Sequence, residues 1–211
     1  THYKSDTWNG ELTLFNIDFD KELFLDRPGD GTGNGIWTDL GATRHRGLES
    51  ALRYDFGKNY PALKGFSLGA TYTFTQATSQ AGPFAGRDLP LYARHTAGLS
   101  ARYAVDRWTF NAELNAQSKQ RSPGTPGTSG KPNAYVTQED ANGNLGNIPG
   151  FGIVGLRASY QGGEELRHLR LTVGMKNLFD RRYFTRSTDN NGGGKYVGMP
   201  RSVYLQASLP F

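Results

Sequence analysis

The chain has 211 residues, a formal net charge of +5 and no cysteine, so it can build one or two domains but neither a disulfide framework nor a cysteine metal site. Its mean hydropathy is −0.61, and no run approaches the roughly 18 apolar residues of a spanning helix, which excludes a helical membrane protein. The Lys and Arg are scattered along the chain without a patch, which argues against nucleic acid as a partner. The opening THYKSDTWNG has neither the basic start nor the apolar core of a secretory signal, and the missing initial Met leads us to expect a processed chain or a piece of a longer one.

The first periodic stretch is ELTLFNIDFD, residues 11–20, with Phe15, Ile17 and Phe19 on one face and Asn16, Asp18 and Asp20 on the other. Leu12 and Leu14 break that register, which leaves a β-bulge or a wrong assignment there. In GLESALRYDF (47–56), Leu48, Leu52, Tyr54 and Phe56 oppose Glu49, Arg53 and Asp55; in GFSLGATYTFT (65–75), Phe66, Leu68, Ala70, Tyr72 and Phe74 oppose Ser67, Gly69, Thr71 and Thr73. Ala97–Tyr103 is a weaker copy, and WTFNAELNAQ (108–117) is a clear one, Trp108, Phe110, Ala112, Leu114 and Ala116 alternating with polar residues. Val154–Tyr160 and Leu169–Met175 follow, and SVYLQASLPF (202–211) ends the chain with Val203, Leu205, Ala207, Leu209 and Phe211 at every second place. About eight strands and no helical stretch predict an all-β chain.

The connections alternate in length. GKNYPALK (57–64), AVDR (104–107) and QGGEELRH (161–168) are short, whereas 26–43, 76–93, 118–150 and 180–200 are long, polar and rich in Gly and Pro. Short turns at one end and long loops at the other are the pattern of a transmembrane antiparallel β-barrel, and a soluble sandwich has no reason to sort its loops by end. Tyr54, Phe56, Tyr103, Trp108, Phe110, Tyr160 and Phe211 lie near the short turns or the C-terminus, where a lower aromatic girdle belongs; Trp37, Phe74 and Phe184 supply the upper one. In lipid every backbone amide and carbonyl must be paired, so strands span only within a closed sheet, apolar teeth outward. Asn16, Asp18, Glu49, Arg53, Asn111, Glu113 and Arg157 are then expected to point inward, which accounts for the low mean hydropathy.

Other motifs are weak. RSTDNNGGGKY lacks the spacing of a phosphate loop and the Ser/Thr after Lys195, and EDANGNLGN places Asp140, Asn142 and Asn144 as in a calcium loop but has Leu145 and Phe151 where Gly and Glu are due. His2, His45, His95 and His168 have no metal spacing, and a lipid-cleaving Ser/His pair has only His95 as a starting point. No catalytic residue, metal site or cofactor is expected, and the chain reads as a non-enzyme.

The last residues, from Lys176 to Phe211, carry a more specific pattern: Asn177-Leu178-Phe179-Asp180, then Tyr183, a loop, Gly198-x-Pro200-Arg201, and the alternating strand with its terminal Phe. This resembles the C-terminal hairpin of TonB-dependent outer-membrane receptors, and is most similar to the ferric citrate receptors in RSTDNNGGGKY and GMPRSVYLQASLPF. The resemblance implies a bacterial outer-membrane barrel of about 22 strands. This chain would be its last eight, residues 1–211 forming the C-terminal part of the barrel domain with the lumen-filling plug outside it. It implies import of ferric citrate or a ferric siderophore of the carboxylate class, driven by TonB–ExbB–ExbD through the plug. Val203, Leu205, Leu209 and Phe211 would belong to the signal read by the barrel-assembly machinery. The alternative is a complete eight-stranded barrel with a structural or adhesive role.

Basic residues gather near the long-loop end, where a guanidinium can grip a carboxylate in a bidentate fork. Arg44, Arg46, Arg94, Arg121, Arg186 and Lys195 are the candidate ligand contacts, while outer-membrane lipid and lipopolysaccharide are the other anions such residues would meet.

Overall fold

The computed structural model describes residues 1–26, 36–39, 41–81, 85–121, 147–166, 168–187 and 195–209. β1 (His2–Lys4) and β2 (Trp8–Phe19) form a hairpin, and β3 (Leu23–Asp26) and β4 (Ile36–Asp39) a small ribbon after it. β5 (Thr43–Asp55), β6 (Phe66–Ser79), β7 (His95–Val105) and β8 (Trp108–Gln117) follow as long strands. A second ribbon, β9 (Gln120–Arg121) with β10 (Asn147–Ile148), precedes β11 (Phe151–Gln161) and β12 (Arg170–Lys176). A third, β13 (Phe184–Ser187) with β14 (Lys195–Val197), precedes β15 (Ser202–Ser208). The long strands and β1 make one nine-stranded antiparallel sheet in the order β1-β2-β5-β6-β7-β8-β11-β12-β15. Each strand pairs with its sequence neighbour in the sheet, as expected of a meander whose tight turns lie at one end and whose ribboned loops lie at the other.

All eight strands read from periodicity are present. β1, three residues with no alternation to reveal it, is a ninth. The short turns hold 3-10 pieces at Phe56–Lys58, Pro61–Leu63 and Glu164–Leu166. The sheet does not close on itself: β1 and β15 are its edges. A complete eight-stranded cylinder is therefore not what these residues form.

Register fixes which side chains share a face. Leu52, Ala70, Leu99, Leu114 and Val154 stand opposite one another across five strands. One residue along, Arg53, Gly69, Ser100, Glu113 and Gly155 do the same on the other face. The apolar face is uncovered: Leu205 is 78% exposed, Val203 65% and Leu99 54%. Among the described residues no second sheet lies over these teeth, and the buried apolar side chains are Ala77, Leu89 and Ile148. A single layer this oily is stable in lipid and not in water.

The outward teeth of β6 run from Phe66 to Phe74, roughly 26 Å at about 3.3 Å per residue. At a strand tilt near 40° that is about 20 Å along the membrane normal, close to the apolar band of about 25 Å in outer-membrane barrels. At the short-turn end the expected ring belt is present: Trp8 packs on Tyr54 at 4.4 Å, Tyr54 on Phe56 at 4.6 Å, and Trp108 on Tyr160 at 5.0 Å. Of the upper belt, Phe74 lies against His95 at 5.3 Å; the Trp37 side chain and Phe211 lie outside what is described.

The first long strand corrects its sequence reading. β2 pairs with β5 without interruption from Trp8–Tyr54 to Phe19–Thr43, so it has no bulge there. Leu12 and Leu14 are the residues that share the outward face with Leu48, while Phe15, Ile17 and Phe19 share the inward face with Thr43, His45 and Gly47. Asn16 and Asp18, expected inward, stand outward beside Arg46 and Arg44. The physical reason is height. Above Leu14, Leu48 and Phe74 the outer face carries Asn16, Asp18, Arg44 and Arg46 and the inner face Phe15, Ile17 and Phe19, as expected where a wall rises past the apolar band.

Candidate functional site

The long-loop end is where folded segments converge on the inner face, and the closing hairpin is its best-built part. Asn177 has φ 50° and is 2% exposed. Its Nδ2 donates to Arg181 O at 2.9 Å and Met199 O at 3.0 Å, and its Oδ1 accepts from Arg181 N at 2.9 Å. Asparagine suits this place because it tolerates the left-handed region and its amide satisfies both sides of a turn. Asp180, also at φ 50°, accepts Arg201 N at 2.8 Å, and Leu178 N donates to Val154 O at 2.8 Å. Tyr183 packs on Phe151 at 4.4 Å, and a Cβ on Gly198 would come within 2.1 Å of the Tyr183 ring, so only glycine fits. The Asn-Leu-Phe-Asp, Tyr and Gly-x-Pro-Arg elements are thus one hydrogen-bonded corner holding β12 to β15.

A second cluster ties the first loop to the second. Glu22 accepts from Thr43 Oγ1 at 2.5 Å, lies 2.9 Å from His45 Nε2, and accepts from the Tyr92 hydroxyl at 3.4 Å. The rings of Phe19 and Tyr92 meet the imidazole edge-on at 5.3 and 5.0 Å. Burial pushes the Tyr92 phenol above its ordinary pKa, with the negative charge and hydrogen bond of Glu22 adding to the shift.

The third feature is a recess of about 420 Å³ at the top of the inner face, bounded by Thr75, Tyr92, Thr96, Gln117, Gln120 and Arg186 among others. Gln120, 6% exposed, donates to Thr185 O at 2.7 Å and so fixes β13 over the wall. The Gln117 Nε2 is buried and has no hydrogen-bond partner.

The six basic residues singled out by sequence do not gather into one funnel. Arg44 pairs with Asp18 at 2.6 Å and Arg46 donates to Gln76 at 2.9 Å, both on the outward face, because the two-residue period puts them in phase with Leu48. Arg94 Nη2 donates to both carboxylate oxygens of Asp88, at 2.7 and 2.8 Å. Arg121 stands opposite Asn147 in the β9–β10 ribbon, and its carbonyl accepts Leu91 N at 2.8 Å. Arg186 lies over the Tyr196 ring at 5.4 Å and borders the recess, while Lys195 lies over Phe184 at 5.5 Å. Gln117 and Gln120 were missed. In the sequence Gln117 is one more polar tooth, and nothing in its spacing distinguishes it from Asn115.

Val203, Leu205 and Leu209 are exposed on the terminal strand and just beyond it, and Phe211 falls outside the described residues. So do Asp140, Asn142 and Asn144 of the calcium-like stretch. The described residues contain no group of three or more potential metal ligands. The His95 ring bonds the Tyr72 hydroxyl at 2.8 Å.

The sequence matches the family model described as TonB dependent receptor-like, beta-barrel, over residues 1–178. Among solved structures it is similar to the ferric citrate transporter FecA in its unliganded form, at 35% identity and TM-score 0.81 over 99% of this chain and 30% of that one. The copper transporter OprC (16% identity, TM-score 0.72, 100% and 30% covered) shares the fold. So does the ferric yersiniabactin uptake receptor FyuA of Yersinia pestis (17%, 0.67, 98% and 28%). The chain spans less than a third of the length of each of these three. The hairpin beyond residue 178 lies past the family match but within the stretch aligned to FecA.

Proposed function

The chain belongs to the TonB-dependent receptor β-barrel family, and on that premise we propose that it is the C-terminal part of the barrel wall of an outer-membrane receptor importing a ferric chelate of the carboxylate class, ferric citrate foremost. The observation that carries the substrate class is the 35% identity to the ferric citrate transporter sustained over 99% of the chain. The single oily layer supports an outer-membrane location, its inner face and ribboned loops bordering the passage. Transport would be TonB-driven through a plug contributed by another part of the protein, with the terminal strand read by the assembly machinery. The protein's role is passage and not bond-breaking chemistry: the wall supplies positioned donors and lipid-facing teeth.

Of the basic candidates, Arg186 is the first choice for ligand contact and Lys195 and Arg121 follow, being on the ribbons above the inner face. Arg94 is engaged by Asp88, and Arg44 and Arg46 face the level of the lipid headgroups, where lipopolysaccharide phosphates are the natural partners. The test is uptake of radioactive iron by cells carrying the full-length receptor as their sole outer-membrane iron receptor. Ferric citrate should be taken up in a TonB-dependent manner and a ferric tris-catecholate should not. Uptake of the catecholate alone would overturn the substrate class.

A further inference from the structure

The recess at the top of the inner face has an unusual lining. Thr75 and Thr96 bring hydroxyls, Gln117 and Gln120 amides, and Arg186 a guanidinium, and among the described residues that bound it there is no Asp or Glu. The contrast is with the neighbouring groove lower on the same face, whose lining includes Glu11 and Glu113. Within the recess Gln120 is already committed to Thr185 O. The Gln117 Nε2 is not: it is cut off from solvent and donates to nothing. Buried amide donors are almost always paired, and one that is not calls for an explanation in strain, an ordered water or ion, or a functional role. The recess volume, about 420 Å³, falls in the range of small-molecule sites.

We propose that this recess seats one carboxylate arm of the chelate, the Gln117 amide turning into the recess it lines so that its Nε2–H donates to one carboxylate oxygen, with the Arg186 guanidinium at the border. A carboxylate suits a lining of hydroxyl and amide donors beside a guanidinium with no carboxylate among its described residues. The position supports the assignment. Gln117 is the last inward tooth of β8, opposite Thr96 and Phe151, and the recess lies where the passage would begin, below the β13–β14 ribbon that carries Arg186. The inference rests on the carboxylate-chelate reading of the preceding subsection and adds to it a residue that holds the cargo.

The test uses the full-length receptor in detergent, with ferric citrate as the probe and heat-modifiable migration to verify an intact barrel. Gln117→Leu keeps the volume and deletes the donors; Gln117→Glu places a like charge against the arm; Thr96→Val removes a neighbouring hydroxyl without touching Gln117. Gln117→Leu should raise the Kd for ferric citrate at least fivefold, Gln117→Glu more, and Thr96→Val less than either. A folded Gln117→Leu variant binding as tightly as wild type overturns this inference alone. A wild-type receptor that does not bind ferric citrate overturns the substrate reading, and this inference with it.

Discussion

Replacing Asn177 with alanine tests how the closing hairpin is held. Three hydrogen bonds of its side chain disappear, leaving Arg181 N, Arg181 O and Met199 O without it. At about 0.5–1.5 kcal/mol each they contribute roughly 3 kcal/mol. The φ of 50° adds about 1 kcal/mol, because alanine lacks the local bonding that lets asparagine tolerate the left-handed region. The expected loss is about 4 kcal/mol, close to three decades in the opening equilibrium of the corner. Amide hydrogen exchange in the full-length protein reads it directly, since Arg181, Gly198 and Arg201 donate within this corner. Their protection should fall by two decades or more, and Asn177→Gly, which removes the strain but not the lost bonds, should lie between. Protection unchanged at all three amides would refute the reasoning, because the corner would then be held by β12 and β15 alone.

Three further outcomes are expected. Leu114→Arg puts a charge at mid-height on the outward face and should destabilise the folded protein in bilayers by about 2–4 kcal/mol, whereas Asn115→Arg, one residue on and facing Gly98 inside, should stay within about 1 kcal/mol; equal costs would contradict the assignment of faces. The Tyr92 phenol is held above its ordinary pKa, so its hold on the loop is complete below about pH 10 and is lost as pH rises through the higher folded value; Glu22→Gln should move the midpoint of the Tyr92 phenolate absorbance, taken as the difference from a Tyr92→Phe protein, back toward normal, though not all the way because burial persists. At the short-turn end Arg107 bonds Glu165 and keeps that carboxyl below the usual range, together with backbone hydrogen bonds. The tie is therefore present above about pH 4.3 and released as pH falls through the lower folded value, and Arg107→Ala should remove the acid dependence of exchange at Gln161 N, which donates to Arg107 O.

Much of the wall was legible because its rule is local. Alternation in Phe66–Phe74 and Trp108–Ala116 states both the strand and its two faces, and a lipid-facing wall lets that pattern stand without a partner sheet to confuse it. The pattern misled where the environment changes along a single strand. Phe15, Ile17 and Phe19 share the inward face with Thr43, His45 and Gly47, where Phe19 meets the His45 ring, and periodicity cannot say on which side an apolar neighbour will be. The closing corner was recognisable from Asn177, Asp180, Tyr183 and Gly198, and the structure supplies the reason for each. The loop-end sites were not legible. Glu22, His45 and Tyr92 are far apart in the chain, and Gln117 differs from the other inward teeth only in what surrounds it after folding. Basic residues drew attention by charge, yet register turned Arg44 and Arg46 outward and Asp88 engaged Arg94.

The claim beneath all of this is that one face of β7 touches lipid while the other borders the lumen. The chain contains no cysteine, so nitroxide labels introduced singly at Leu99, Ser100, Ala101 and Arg102 of the full-length receptor in bilayers report four defined positions. Leu99 and Ala101 should show high collision with oxygen and low collision with a water-soluble nickel chelate, and Ser100 and Arg102 the reverse. Chelate access at all four positions, or oxygen access at Ser100 and Arg102 in place of Leu99 and Ala101, would contradict the account.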